Sequence, residues 1–279
     1  MITQYPCNVV EKMRVDGFLL IKVSKETTKI LNEAFDAAFD FFRKPQQEKT
    51  RCSLPNDFGY RPIGVEYSQS PERPDPAESF TVGEETRELI ANLPSMEGRT
   101  LCDRILSTTE IFEPIAEELT VQMANALGGQ DCGDLLRGAL GRWSCLQVNY
   151  SRPSDNTLPF IHESHEDGHL LTLARSTGPG LEVQTVDGNF LPITTALDEV
   201  LVMPGEIAWL LSGGQIRPVY HRVRNTRGEL ERGALLFFAD IDPRLCKPWV
   251  SNDVNKDIDI GARMLNNPTR FGLGKVTLK

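Results

Sequence analysis

Histidine is scarce in this chain. The 279 residues contain four, His162, His165, His169 and His221, so any site built on imidazoles must draw on those positions. Cysteine is present but never closely spaced. Cys7, Cys52, Cys102, Cys132, Cys145 and Cys246 form no CxxC pair, which argues against zinc knuckles and cysteine-held iron–sulfur clusters. A chain this long needs no disulfide staples, and scattered thiols of this kind are expected to be reduced, as in a cytosol. No apolar run reaches the roughly 18 residues a membrane-spanning helix needs. The opening MITQYPCNVVEKMRVDGF has no apolar stretch of the secretory-signal type. Positive charge is also short, with 30 Lys and Arg against 39 Asp and Glu and a net charge of −9. Nucleic acid and anionic membrane surfaces want a basic patch, so neither is an expected partner. These absences predict a soluble cytoplasmic protein, a monomer or at most a weak homo-oligomer.

The first half of the chain reads as helical and irregular, the second as short strands. GFLLIKV (17–23) has the texture of a buried strand. Ser24 can cap a helix over 25–44, in which Ile30, Leu31, Ala34, Phe35, Ala38, Phe41 and Phe42 recur at three- and four-residue intervals. Residues 51–80 are rich in Pro, Asp, Ser and Arg and lack a period. A long irregular segment in a compact domain often walls a pocket, which makes Arg61, Tyr67 and Arg73 candidates for substrate contact. For each, an ordinary surface loop is the simpler reading. A second apolar period predicts one helix over 98–128, ended at Gly128-Gly129.

From about residue 140 the runs WSCLQVNY, HLLTLAR, LEVQT, FLPI, EVLVMP, IAWLL, YHRVR and ALLFFAD alternate with turn signals such as Val186-Asp187-Gly188-Asn189. Many short strands without intervening helices mean a sandwich, barrel or jelly roll. The expected architecture is mainly β with flanking helices, a jelly-roll core with N-terminal helices packed on it. A single domain is expected over 1–279, divided into a helical and irregular part (1–135), the core (136–246) and a tail (247–279). A short helix at 257–266 would close over the pocket mouth.

The stretch HEDGHLLTL (165–173) carries the chemistry. On one strand, residues i and i+2 point to the same side, so His165 and Asp167 would present an imidazole nitrogen and a carboxylate oxygen together. Those are two of the three ligands of a 2-His-1-carboxylate iron(II) site, which leaves coordination positions open. The only distant histidine is His221, so a triad, if present, is His165, Asp167 and His221. A ligand set using His162 would leave Asp167 unexplained. His162 and His169 read as surface or structural histidines, although a regular strand would put His169 on the face of His165. Arg232 opens the apolar run ALLFF, where an unmatched cation is costly. Its guanidinium suits bidentate capture of a carboxylate, such as the far end of 2-oxoglutarate. A salt bridge to Glu229 or Glu231 is the plainer alternative.

With these residues in view, the chain resembles the iron(II)/2-oxoglutarate-dependent oxygenases of the isopenicillin N synthase-like superfamily. HEDGHLLTL is similar to that family's His-x-Asp strand, GPGLEVQTVDGNFLPI to its Gly-Leu-x-Val segment and hairpin, VMPGEIAWLLSGGQIRPVYHRV to the approach to the distal histidine, and ERGALLFFAD to the closing Arg-x-Ser strand. GFLLIKV, GYRPIG and DPAESF fit the N-terminal part more loosely. The resemblance implies a double-stranded β-helix, one iron(II), O2 as oxidant and 2-oxoglutarate as cosubstrate. It also implies a ferryl oxidant that hydroxylates, desaturates or cyclises a small-molecule substrate, with specialised metabolism as the expected setting. Asn149 and Tyr150 fall where the family contacts its cosubstrate. Ala234 stands where the family has serine, removing a hydrogen bond to a charged group worth about 1.5–3 kcal/mol. Ser151 replaces a second tyrosine, and Gly205-Glu206 replaces the common Gly-Asp as a structural turn. Asp167 argues against halogenation, for which relatives give up the carboxylate. Two other readings stay open: an iron oxidase that uses no 2-oxoglutarate, and a non-catalytic jelly-roll binding module.

Overall fold

A computed structural model describes residues 5, 8–140, 142–152, 158–226 and 231–267. The first half runs α1 (Val9–Val15), β1 (Leu19–Lys22), α2 (Lys25–Phe42), α3 (Gln46–Thr50), β2 (Gly59–Arg61) and β3 (Glu78–Gly83). It continues with α4 (Arg87–Ile90), α5 (Met96–Ser107), α6 (Thr109–Gly128) and α7 (Gln130–Asp134). The second half runs β4 (Cys145–Ser151), β5 (Phe160–His165), β6 (Leu171–Ser176), β7 (Leu181–Gln184), β8 (Phe190–Pro192) and β9 (Glu199–Pro204). It ends with α8 (Glu206–Leu211), β10 (His221–Arg224), β11 (Arg232–Ala239) and α9 (Ile260–Asn266).

The strands form two antiparallel sheets. The larger has the order β1-β9-β6-β11-β4-β3-β2, the smaller β5-β10-β7-β8. This is a double-stranded β-helix, mainly β with helices against one face. Strand parity divides the interior. Leu146, Val148 and Tyr150 of β4, Leu171 and Leu173 of β6, and Leu235 and Phe237 of β11 point outward to the helices and join one apolar core. Their alternates, such as Ala174, Leu201, Met203 and Leu236, face the smaller sheet and meet Leu181, Val183 and Val223 in a second cluster. One register therefore builds a helix-facing core and a cavity-facing wall from the same strands.

The helix α2 forms as its period predicts. The Ser24 hydroxyl accepts from the Thr27 N–H at 3.2 Å, and Leu31, Ala34, Phe35, Ala38, Phe41 and Phe42 are buried. Ile30, assigned to the same stripe, is exposed. Phe42 stacks on Tyr150 with ring centroids 4.8 Å apart. A Cβ on Gly233 would come within 3.0–3.3 Å of the Phe35 and Phe39 rings, so that glycine lets the helix lie close to β11.

Several boundaries differ from the sequence expectation. The single helix over 98–128 is two, α5 and α6. The break falls at Thr108, whose N–H and hydroxyl both turn back to the Ile105 carbonyl at 2.9 and 2.6 Å. Such local side-chain bonds compete with the helical ladder. The irregular stretch 51–80 holds β2 and the start of β3. IAWLL is a helix, α8. A short apolar run does not distinguish a buried strand from a buried helix. Ser212 then ends the helix, and Gly213 and Gly214 take positive φ of 60° and 81°, as a reversal into the next segment requires. The tail helix exists as α9 but does not close a pocket mouth. It packs against α8 through Arg263, which donates to Glu206 at 2.6 Å, and none of its residues lines the cavity. No helix among the described residues is long and apolar enough to cross a membrane.

Candidate active site

HEDGHLLTL is not one strand. His165 is the last residue of β5, Asp167 sits in the turn that follows, and β6 begins at Leu171. The two side chains still converge because the turn is held from several sides. The Asp167 and His169 carbonyls accept from the N–H groups of Glu206 and Ile207 at 2.9 and 3.3 Å. A Cβ on Gly205 would collide with those same carbonyls, at 2.6 and 2.2 Å, so only glycine lets α8 press its first turn onto this loop. Beneath it, buried Asp240 accepts the Leu170 N–H at 3.1 Å and the His169 Nδ1–H at 2.6 Å. Burial raises the Asp240 pKa, and neighbouring His169 moderates the rise. His169 is thus a structural histidine, stacked on Phe238, rather than a residue on the His165 face.

His221 opens β10 directly opposite His165 in the ladder. Ligand atoms of His165, Asp167 and His221 all lie within 4.8 Å of one another. Asp167 Oδ1 is 3.7 Å from His165 Nε2 and 3.9 Å from His221 Nε2. Each imidazole is oriented from behind by a backbone carbonyl at Nδ1, Glu163 O for His165 at 2.7 Å and Val219 O for His221 at 3.2 Å. A proton donated from Nδ1 leaves Nε2 as the free lone pair, the tautomer a metal ligand needs. Thr172 donates to Asp167 Oδ2 at 2.5 Å and so leaves Oδ1 toward the histidines. Burial pushes the His165 imidazole down to about 4, helped by the neighbouring His221. Burial would raise the Asp167 pKa, but His221, His165, His169 and the Thr172 hydroxyl outweigh it and the net shift is downward. Neutral His165 beside ionised Asp167 is the state that receives a divalent cation, so the donor set fits iron(II).

These residues face a cavity of about 660 Å³ between the two sheets. Arg232 reaches it from β11. It is buried, its Nε donates to Pro179 O at 3.1 Å, and burial lowers it to about 10, which leaves it a cation at neutral pH. Glu231 does not pair with it. That carboxylate takes Arg43 at 2.6 Å and the Tyr150 hydroxyl instead; Glu229 lies outside the described residues. The rest of the Arg232 fork is therefore available to an anion in the cavity. Asn149 lines the cavity on β4, opposite Ala234. Tyr150 does not: the next residue along a strand faces the other way, and its ring lies in the α2 core, so strand parity removes it from the cosubstrate pocket. Ser176 of β6, unmarked by sequence reasoning, is the other cross-strand neighbour of Ala234 and also lines the cavity.

The 51–77 segment covers the opposite side. Arg61 lines the cavity, pairs with Glu66 and donates to Gln147 at 2.9 Å. Tyr67 also lines it, whereas Arg73 is exposed and lies 3.6 Å from Glu163. His162 faces the cavity as well, with Asp75 behind it.

Two family sequence models match side by side. Residues 142–240 match the 2OG-Fe(II) oxygenase superfamily. Residues 8–98 match the N-terminal region described as non-haem dioxygenase in morphine synthesis. The chain belongs to the 2OG-Fe(II) oxygenase superfamily. It is an iron(II)- and 2-oxoglutarate-dependent dioxygenase, with iron(II) as cofactor and 2-oxoglutarate and O2 as cosubstrates. Among its relatives is gibberellin 2-beta-dioxygenase of Phaseolus coccineus, 23% identical over 236 residues, 77% of this chain and 67% of that protein. Among solved structures, a Neurospora crassa protein in complex with alpha-KG and 5-formyluracil is 15% identical with a TM-score of 0.72, over 92% of this chain and 88% of the other. JOX2 in complex with 2OG, Fe and JA is 22% identical with a TM-score of 0.70, over 85% and 71%. Both share the oxygenase's fold. When bound, iron(II) supplies oxygen activation, coupling 2-oxoglutarate decarboxylation to oxidation of a substrate.

Proposed function

We propose that His165, Asp167 and His221 hold the iron of this dioxygenase, and that Arg232, Asn149 and Ser176 hold 2-oxoglutarate. The observation that carries the metal assignment is the convergence of the three ligand atoms with both imidazoles fixed from behind by backbone carbonyls. Arg232 would take the far carboxylate of the keto acid. Ser176, direct neighbour of Ala234 across the ladder, would supply the missing hydroxyl by turning from Gly178 O, to which it donates at 3.2 Å.

The remaining cavity is enclosed by the 51–77 segment and suits a small molecule rather than a polymer, which would need an open charged groove. In this reading the chain is a single catalytic domain that hydroxylates, desaturates or cyclises a small molecule of specialised metabolism. Its setting is a reducing cytoplasm, in keeping with Cys52, Cys102, Cys132 and Cys246, which among the described residues are buried or half-buried thiols. The residues would bind and orient substrate and cosubstrate beside the metal and exclude bulk water; no side chain beyond the ligands is assigned a chemical step.

The test is His221→Ala. Purified anaerobically and compared with wild type, it is expected to lose bound iron and 2-oxoglutarate-dependent succinate formation. Retention of both would refute the ligand set.

A further inference from the structure

We infer that His162, held by Asp75, is the residue that reads the substrate, and that the substrate is an uncharged or cationic small molecule offering an N–H or O–H to it. The inference rests on the oxygenase reading above. It starts from an irregularity in β5. His165 pairs with His221 and His162 pairs with Val223, so three steps along β5 match two along β10. The extra residue is a β-bulge at Glu163–Ser164, and a bulge re-aims the side chains on either side of it. In a regular strand His162 and His165 would face opposite ways. Here both line the cavity.

The bulge is also where the covering segment docks. Gln69 Nε2 donates to Ser164 O at 2.8 Å, and the loop 66–75 is closed on itself by the Asp75 N–H donating to Glu66 O at 2.8 Å. Docked this way, the loop brings Asp75 to His162. Asp75 Oδ2 is 2.9 Å from His162 Nδ1 and accepts the Ser68 hydroxyl at 2.7 Å. With Nδ1–H donating to Asp75, the His162 ring has Nε2 left as an acceptor, and Nε2 has no partner among the described residues.

A carboxylate and its imidazole inside a pocket are more than packing needs. Both residues are buried, but Nε2 is not among the buried unpaired atoms and opens to the cavity, where a substrate donor would take the place of solvent. The charge around it selects further. Arg61 is neutralised by Glu66, and two further carboxylates of the covering segment, Asp75 and Asp57, line this wall. That disfavours a carboxylate on this side of the cavity and favours an amide, amine or alcohol. His162 is thereby a positioning residue that sets which carbon of the substrate lies beside the metal.

Two measurements test this on the iron-free, zinc-substituted protein and on the iron enzyme. In the zinc form, nitrogen NMR of His162, assigned by its loss in His162→Gln, is expected to show protonated Nδ1 and bare Nε2, with Nε2 shifting on addition of donor-bearing compounds. The compounds are matched pairs: uracil and 1,3-dimethyluracil, 2-piperidone and N-methyl-2-piperidone, benzyl alcohol and benzyl methyl ether. In the iron enzyme, succinate formation above background is expected from donor-bearing members and to fall about tenfold in their methylated partners, the size of one lost buried hydrogen bond. His162→Leu is expected to lose that stimulation through KM more than kcat, and His162→Gln, which keeps an acceptor, to recover it. A protonated Nε2, a His162 signal indifferent to every donor, or equal response to methylated partners would overturn the inference. The comparison of pairs uses wild-type protein, so it stands even where a variant fails to fold. Failure of the oxygenase reading itself would look different: wild type would show no iron-dependent succinate with or without any compound.

Discussion

At the scale of single residues, scarcity narrows the proposed metal site. With four histidines, one His-x-Asp and one distant histidine, the sequence points to the three side chains whose ligand atoms converge. Arg232 was legible for a similar reason, a cation at the head of an apolar strand. What could not be read was direction. Asn149 and Tyr150 are adjacent, but only the register of β4 against β11 shows that the first faces the cavity and the second the helices. Ser176 was hidden because its relevance comes from lying across from Ala234, a relation between residues 58 apart (234 minus 176). The proposed cosubstrate role makes a prediction. Ser176→Ala should raise the KM for 2-oxoglutarate about tenfold, the cost of one hydrogen bond to a charged group. Ala234→Ser should lower it. Both are read from succinate formation against 2-oxoglutarate concentration, and an unchanged KM in both variants would remove Ser176 from the pocket.

Elements were less legible than residues, and for two physical reasons. Short apolar runs have no decisive period, so IAWLL read as a strand and is a helix. A bulge or turn changes facing without changing composition, so the end of β5, the Asp167 turn and the start of β6 read as the single strand HEDGHLLTL. The turn depends on α8, and α8 depends on Gly205. Gly205→Ala should push the first turn of α8 away from the Asp167 and His169 carbonyls and lower iron affinity about 10- to 100-fold, the usual loss when support behind a ligand is removed. Competitive chelation of the reconstituted protein measures it. Sequence reading also missed the ion pair that ties α3 to β3. Lys49 and Glu78 are paired and nearly inaccessible, and Lys49 donates to Phe42 O at 3.0 Å. Lys49→Met leaves Glu78 buried, with the Tyr60 hydroxyl and Arg152 at 3.9 Å as its remaining partners, and should cost about 3–5 kcal/mol of stability in urea unfolding. Removing both charges with Lys49→Met and Glu78→Leu should return most of it.

For the whole molecule, class and architecture followed from the change of texture near residue 140, and the two-sheet jelly roll with helices on one face agrees with it. The order of strands was not legible. It places β6 and β11, 55 or more residues apart, side by side in the larger sheet, and no local signal carries such a distance. Acid stability is also a property of the assembled molecule. Glu97 of α5 pairs with Lys44 after α2 at 2.7 Å, and hydrogen bonds from Lys44, its own backbone and Ser95 hold its carboxyl down to about 2 from the ordinary 4.5. A carboxyl depressed on folding stabilises above its unfolded pKa, and that contribution fades as pH falls from about 4.5 toward 2. The side chains are about one-third exposed, so the effect is small. Glu97→Gln should have a slightly lower Tm than wild type at neutral pH, with the two curves converging in acid. A constant gap across the range would show that the pair does not titrate in this way.

The cross-strand pairing of His165 with His221 has a consequence for how long the protein lasts. In their proposed role as iron ligands, the two would tie β5 to β10 of the smaller sheet, which has four strands and, among the described residues, no helix layer of its own. An ion held by both strands closes a loop of 56 residues (221 minus 165) that only the completed ladder brings together. Binding to the folded chain alone adds about 2.7 kcal/mol when free ion stands at 100 times its dissociation constant, and that gain falls on the thinner half of the molecule. Iron supply would then govern turnover of the protein as well as turnover of its substrate. A cell short of iron would hold an enzyme that is idle and also quicker to open along β5 and β10, and so to be degraded.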